Sequence, residues 1–149
     1  MPVWHTEATS PEMPYRAAPQ IDAEFRSVHV NGGSEITLGL LHMMLRFIDE
    51  HIEDVHLGPG RIAQEFRISK RYVHKVFATT GSTFTSYVTG RRLERVCNAL
   101  IAVSPQQELI ASIARRWGFR DISAFNRAFK RRFGCSPRVF RTRRAGWRR

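Results

Sequence analysis

From near Ser34 almost to the end of the chain, apolar residues recur at helical spacing. Ile36, Leu40, Met44, Ile48 and Ile52 repeat at i+4 and Leu41 and Leu45 widen the stripe, with Ser34 ahead of it as an N-cap. Pro59 and Gly60 open a second, short helix with Ile62, Ala63 and Phe66 facing inward, after which Arg67 and Ile68 form a turn. Ser69 caps a third helix. On it Val73, Val76 and Phe77 share one face, while Arg71, His74 and Lys75 occupy the opposite one. Gly81 is expected to end that helix. Thr83 begins a longer one through Phe84, Tyr87, Val88, Leu93, Val96, Leu100 and Ile101, long enough to bridge two lobes.

Beyond Val103 the pattern returns. Ser104 can cap and Pro105 can take the first position of a fifth helix, whose inner face is Leu109 or Ile110, then Ile113, Ala114 and Trp117. Gly118 and Phe119 make its turn. A sixth helix starts at Asp121 as N-cap, with Ile122, Phe125, Phe129 and Phe133 inward and Ser123, Asn126, Arg127, Lys130 and Arg131 outward. Gly134 stops it, and Ser136 with Pro137 starts a short seventh. Period-2 alternation is lacking beyond a few residues, so the expected fold is all-α, with helix, turn and polar-faced helix occurring twice.

Residues 1–33 differ from this. Pro2, Pro11, Pro14 and Pro19 punctuate a polar stretch, and Asn31, Gly32 and Gly33 signal a hinge. They read as a flexible arm, in which Ile21, Phe25 and Val28 could share one short helical face. The ordered domain is expected over 34–141: a first lobe to 82, a linker helix over 83–103 and a second lobe over 104–141. Residues 142–149 read as a disordered basic tail.

Charge changes the picture from a helical domain to one with a polyanionic partner. The chain of 149 residues carries 24 Lys and Arg against 13 Asp and Glu, a formal net charge of +11. From Arg115 onward the only acid is Asp121. Asp49, Glu50, Glu53 and Asp54 cluster in one earlier segment, where they could repel a phosphate backbone or face another protein. The length suits one compact core or two small lobes and excludes a large catalytic domain.

Other chemistries find little support. Cys97 and Cys135 have no partner at metal-ligand spacing and read as free thiols in a reducing compartment. His5, His29, His42, His51, His56 and His74 form no H-E-x-x-H or comparable set. There is no phosphate-cradling Gly loop and no evident Ser/His/Asp set, so neither metal, cofactor nor catalysis is expected. No apolar run approaches the roughly 20 residues that span a bilayer, and the N-terminus lacks a signal-peptide pattern. A cytoplasmic protein is expected.

Two stretches resemble a known family. The pattern G-F-x-D-x-S-x-F-x-R-x-F-K at Gly118 to Lys130, followed by G-x-S-P-x-x-F-R at Gly134 to Arg141, looks like the motif of the AraC/XylS family of bacterial transcription regulators. The earlier I-A-x-x-F-x-I-S-K-R-Y-V-H-K-V-F at Ile62 to Phe77, with Gly81 and Tyr87, resembles the family's first helix-turn-helix. The likeness covers Ile36 to Arg141. It implies a two-lobed, seven-helix domain whose third and sixth helices enter successive major-groove segments of double-stranded DNA at the nucleoid, without a cofactor. The family's base-reading positions map onto Arg71, His74 and Lys75, and onto Ser123, Asn126 and Arg127. The resemblance further implies an activator, with RNA polymerase as a second partner.

Side-chain chemistry agrees with that mapping. Arg can donate two hydrogen bonds to guanine and Asn can pair with adenine, each contributing about 1–3 kcal/mol of discrimination, so Arg71, Arg127 and Asn126 are the candidates for base contact. The same side chains could instead stand solvated or touch phosphate alone. Lys70, Lys130, Arg131 and Arg138 suit phosphate, or a generic basic surface. Trp117, Phe119, Phe125, Phe129 and Phe133 stand at core spacing rather than as base-stacking groups. Two features depart from the family pattern: a longer segment from Leu100 to Ile113, and Gly90 inside the linker helix. Both would permit lobe motion.

Three readings follow. The first is a sequence-specific transcription regulator in which one monomer covers both major-groove segments. The second is the DNA-binding part of a larger effector-sensing regulator whose ligand domain is missing from this chain. The third is alkyl transfer to a thiol, as in helix-turn-helix domains fused to DNA-repair modules, but Cys97 and Cys135 lack the neighbours that would activate them.

Overall fold

The computed structural model describes residues 35–102 and 108–145. Within them the chain forms seven helices and no strand: α1 (Glu35–Glu50), α2 (Pro59–Glu65), α3 (Lys70–Ala78), α4 (Phe84–Ala102), α5 (Ile110–Arg116), α6 (Ile122–Phe133) and α7 (Pro137–Ala145). The all-α, seven-helix, two-lobed architecture expected from periodicity is present. Ser34, the Ile21, Phe25 and Val28 face, and the Ser104 and Pro105 cap lie outside the described residues.

The apolar stripes close two separate cores. Leu41, Met44 and Ile48 of α1 pack with Ile62 of α2, Val73, Val76 and Phe77 of α3, and Phe84, Tyr87 and Val88 of α4. Ile113 and Ala114 of α5, Phe125 and Phe129 of α6, and Phe140 of α7 pack with Leu93, Val96, Cys97 and Leu100 of α4. The first half of α4 thus belongs to one lobe and the second half to the other. A single uninterrupted helix of 19 residues, about 28 Å long at 1.5 Å per residue, joins them. Trp117 touches both cores.

Each lobe contains the same backbone turn. At the end of α2 the amide of Ile68 donates to the carbonyl of Ala63 at 2.9 Å and that of Arg67 to Gln64 at 3.3 Å. At the end of α5 Phe119 donates to Ala114 and Gly118 to Arg115, both at 3.0 Å. Both pairs are the 6→1 and 5→2 bonds of a Schellman motif, which needs a left-handed residue at its centre. Gly118 supplies it with φ +83°, but the first turn places Arg67 there with φ 52°. These turns end α2 and α5 and lead the chain into α3 and α6, which pack against them.

Several expectations are corrected. Ile36, expected to face inward, is 80% exposed, because the first turn of α1 precedes the buried part of its stripe at Leu41. Leu109 is 74% exposed and stands just before α5, so Ile110 is the inward alternative. Gly81 does not itself stop α3. The helix ends at Ala78, where the hydroxyls of Thr79 and Thr80 donate back to the carbonyls of Val76 and Phe77 at 2.6 Å, and Gly81 follows at φ +72°. Phe133 is half-buried rather than fully inward. Thr142 and Arg143, assigned above to a tail, continue α7.

The acidic segment does not form a common free face. Asp49 accepts a two-pronged bond from Arg91 of α4, Nε at 2.9 Å and Nη2 at 2.8 Å. Arg91 also reaches Glu94 at 3.2 Å, and Glu94 accepts from Arg132 of α6 at 2.8 Å. The chain Asp49, Arg91, Glu94, Arg132 therefore runs from the first lobe across α4 into the second. Its geometry is that of a charge-assisted, partly desolvated network rather than an isolated surface pair. Glu50 meets Arg46 at 3.7 Å on the surface, and Asp54 meets Arg61 at 3.5 Å. Gly90, buried, stands directly before Arg91.

The two turns respond oppositely to exchange of their central residues. Gly118→Ala forces a Cβ into the left-handed region, where the strain is about 1–2 kcal/mol, and 2.7 Å from Arg92 Cζ. Calorimetry is expected to show a melting temperature lower by about 4–16 °C. Arg67→Gly removes the same strain and is expected to leave it unchanged or higher.

Candidate nucleic-acid interface

α6 is fixed at both ends and along one side. The Asp121 carboxylate accepts from the amides of Ser123 at 2.8 Å and Ala124 at 3.0 Å, satisfying two of the orphan donors of the first turn. Gly134 closes the other end at φ +75°, its amide donating to Lys130 at 2.9 Å. Phe125 and Phe129 are fully buried with ring centroids 5.7 Å apart, and Phe129 meets Phe133 at 4.5 Å and Phe140 of α7 at 5.7 Å. Core packing thus accounts for these rings, as spacing suggested. Ser123, Asn126, Arg127, Lys130 and Arg131 are left exposed on the opposite side.

α3 repeats the arrangement. The Ser69 hydroxyl accepts from the Tyr72 amide at 3.1 Å, Val73, Val76 and Phe77 are fully buried, and Lys70, Arg71, His74 and Lys75 are exposed. Arg71, His74 and Lys75 follow their cap by the same offsets as Ser123, Asn126 and Arg127 follow theirs. Both triplets therefore lie at the same rotation about their helix axes. The preceding turn has the same pair of hydrogen bonds in both lobes, but its left-handed residue stands two positions before the cap in the first lobe, Arg67 to Ser69, and three in the second, Gly118 to Asp121.

The basic residues divide by partner. Arg46, Arg61, Arg91, Arg116 and Arg132 are paired with carboxylates. Lys70, Arg71, Lys75, Arg127, Lys130, Arg131 and Arg138 have no carboxylate partner among the described residues. On the α6 face the nearest acid in sequence, Asp121, is spent on helix amides. The two outward faces are thus uncompensated positive surfaces.

Arg138 and Arg141 of the G-x-S-P-x-x-F-R stretch separate. Arg138 is exposed near the start of α7, where the Ser136 hydroxyl accepts from the Val139 amide at 3.3 Å. Arg141 turns inward to 8% exposure and donates from Nη1 to the Glu108 carbonyl at 2.8 Å. Burial pulls its guanidinium below the ordinary arginine value, with the Glu108 carboxylate opposing that shift. The Glu108 carboxylate itself pairs with Arg116. The terminal arginine of the motif is therefore part of the second lobe's frame.

A family model for a helix-turn-helix domain matches residues 62–143, both turns and both exposed faces included. The chain belongs to the AraC/XylS family. Its helix-turn-helix domain is of the AraC type. It is 40% identical over 90 residues to the transcriptional activator RhrA of Rhizobium meliloti, covering 60% of this chain and 28% of that protein. It is 30% identical over 105 residues to the regulatory protein SoxS of Salmonella typhimurium, covering 70% of this chain and 94% of that protein. An AraC-type transcriptional regulator from Chromobacterium violaceum shares the fold at a TM-score of 0.64 and 23% identity, over 75% of this chain and 97% of that one. The chain thus spans about a quarter of RhrA's length and nearly all of SoxS's.

The remaining chemistry is modest. Cys97 is buried and Cys135 half-buried. Among the described residues no group of three or more His, Cys, Asp or Glu could hold a metal ion, and no helix is long and apolar enough to cross a membrane. Sequence reading missed Arg91, Arg92 and Glu94 of the AraC-type linker helix. Their i to i+3 pairing was visible in the sequence, but Asp49 lies 42 residues from Arg91, beyond the reach of any periodicity argument.

Two substitutions separate core from surface on α6. Phe129→Ala opens a cavity in the second core and is expected to cost about 3–5 kcal/mol. Asn126→Ala, on the exposed face, is expected to stay within about 0.5 kcal/mol of the parent. Chemical denaturation monitored by circular dichroism measures both.

Proposed function

We propose that this chain is a sequence-specific transcription regulator that reads two successive major-groove segments of one duplex as a monomer. The observation that carries the reading is the pair of exposed triplets at equal offsets from their caps, surrounded by unpaired cations. Arg71, His74 and Lys75 of α3, and Ser123, Asn126 and Arg127 of α6, are the base-reading set. Lys70, Lys130, Arg131 and Arg138 hold phosphates and fix register. Because the repeat is internal, a single copy supplies both reading heads. The names of RhrA and SoxS support a regulator, and RhrA's an activator; RNA polymerase as a second partner and a cytoplasmic location belong to the same proposal. The family supports a binding rather than a catalytic role.

A second reading has its own support. RhrA is matched over 28% of its length and the transcriptional activator NphR of Rhodococcus over 29%. In this reading the chain is the DNA-binding part of a larger effector-sensing regulator. SoxS, matched over 94% of its length, favours the first.

The base-reading assignment is tested by selecting bound fragments from random DNA and measuring variants on the selected duplex and on a random one. Arg127→Ala is expected to lose about 5- to 150-fold on the selected duplex and much less on the random one; equal loss on both assigns Arg127 to phosphate. Arg131→Ala is expected to weaken both duplexes alike and to reduce the slope of log affinity against log salt by about 1. With roughly six to ten phosphates neutralised, the parent's affinity should fall about 10³- to 10⁵-fold between 50 and 200 mM salt.

A further inference from the structure

The seam between the lobes is built around one guanidinium. Arg92 of α4 donates from Nε to the Ile52 carbonyl at 3.0 Å and from Nη2 to the Asp54 carbonyl at 2.6 Å. Both carbonyls belong to the first lobe, just past the C-terminal end of α1, where the helix dipole favours a cation. The other side of the same group lies against Gly118, the left-handed residue of the second lobe's turn. A Cβ on Gly118 would stand 2.7 Å from Arg92 Cζ and 2.8 Å from Nε and Nη2. Burial lowers the guanidinium from its ordinary value, with the Asp54 carboxylate opposing, as suits a cation held between two surfaces.

Neighbouring contacts follow the same seam. Arg120, just before the Asp121 cap, places Nη2 3.4 Å from His56 Nε2 of the first lobe. Arg95 lies over the ring of Trp117 at 5.8 Å. Gly118 is only a few residues from the first turn of α6. A shift of its backbone is therefore a shift of α6 relative to α3.

From this we infer that Arg92 is the positioning residue that sets the separation and angle of α3 and α6, and hence the half-site spacing the chain accepts. The inference rests on the bipartite reading given above. Arg92 touches no exposed face and needs no contact with DNA. Its planar fork spans two carbonyls while its flat side admits a glycine turn, a combination that a lysine ammonium cannot reproduce. Spacing selectivity therefore resides in a residue outside both reading triplets.

The test uses the full chain, Arg92→Lys and Arg92→Met, with melting temperatures recorded for each. Affinity is measured on the selected duplex, on duplexes with one base pair added or removed between the half-sites, and on a duplex with the second half-site scrambled. The parent is expected to disfavour the altered spacings by about tenfold or more, within the usual range of coupling between two sites. Both variants are expected to compress that ratio at least about threefold, while affinity for the scrambled duplex stays at the parent value. A purely structural role would lower the melting temperature and reduce affinity by one factor on every duplex, overturning the inference. So would unchanged spacing discrimination in Arg92→Lys and Arg92→Met. A parent indifferent to spacing and to the scrambled half-site would instead remove the bipartite reading, and the inference with it.

Discussion

Everything in this domain depends on one helix being buried twice. The first half of α4 fills a core with Phe84, Tyr87 and Val88, and the second half fills another with Leu93, Val96, Cys97 and Leu100. Fully burying each large apolar side chain contributes about 1.5–3 kcal/mol, so neither lobe can release α4 without losing much of its own core. The lobes consequently share a rigid axis. The ion chain from Asp49 to Arg132 and the Arg92 clamp then act on the freedom that a shared helix leaves, rotation and tilt about that axis.

The same logic sorts the excess of positive charge. A net charge of +11 would be a burden on a small domain if every cation repelled its neighbours. Here the arginines near the lobe seam, Arg132 of α6 included, are engaged with carboxylates, carbonyls or aromatic rings, and Arg71 of α3 with Arg127 and Arg131 of α6 have no carboxylate partner among the described residues. The first group holds the frame and the second faces the polyanion. Arg138 and Arg141, three residues apart in one motif, fall on opposite sides of that division. Residue type alone does not distinguish them; direction from the helix does.

Legibility in the sequence followed the range of the interaction. Caps and turns are local, and Ser69, Asp121, Gly118 and Gly134 announced themselves by residue type and position. The inward faces of α3 and α6 followed from period 3.6, and with them the outward triplets. Ile36 was misread because a stripe says which side of a helix is apolar, not how far its neighbour extends. Arg67 was placed in a turn, yet nothing in its identity indicates a left-handed backbone, which the Schellman bonds impose. The seam was illegible because Arg91 and Arg92 find partners about 40 residues away, where only the folded chain brings them together.

The matched offsets of the two triplets from Ser69 and Asp121 carry one more consequence. Because the offsets of the buried residues from the cap are shared while the exposed positions differ, the surface alphabet of each helix is separable from its scaffold. Three positions on either helix can be rewritten without touching a core residue, and a triplet moved from one lobe to the other arrives in the same orientation. The domain is in that sense a two-slot cassette, with its vocabulary on the helices and its grammar in the seam between them.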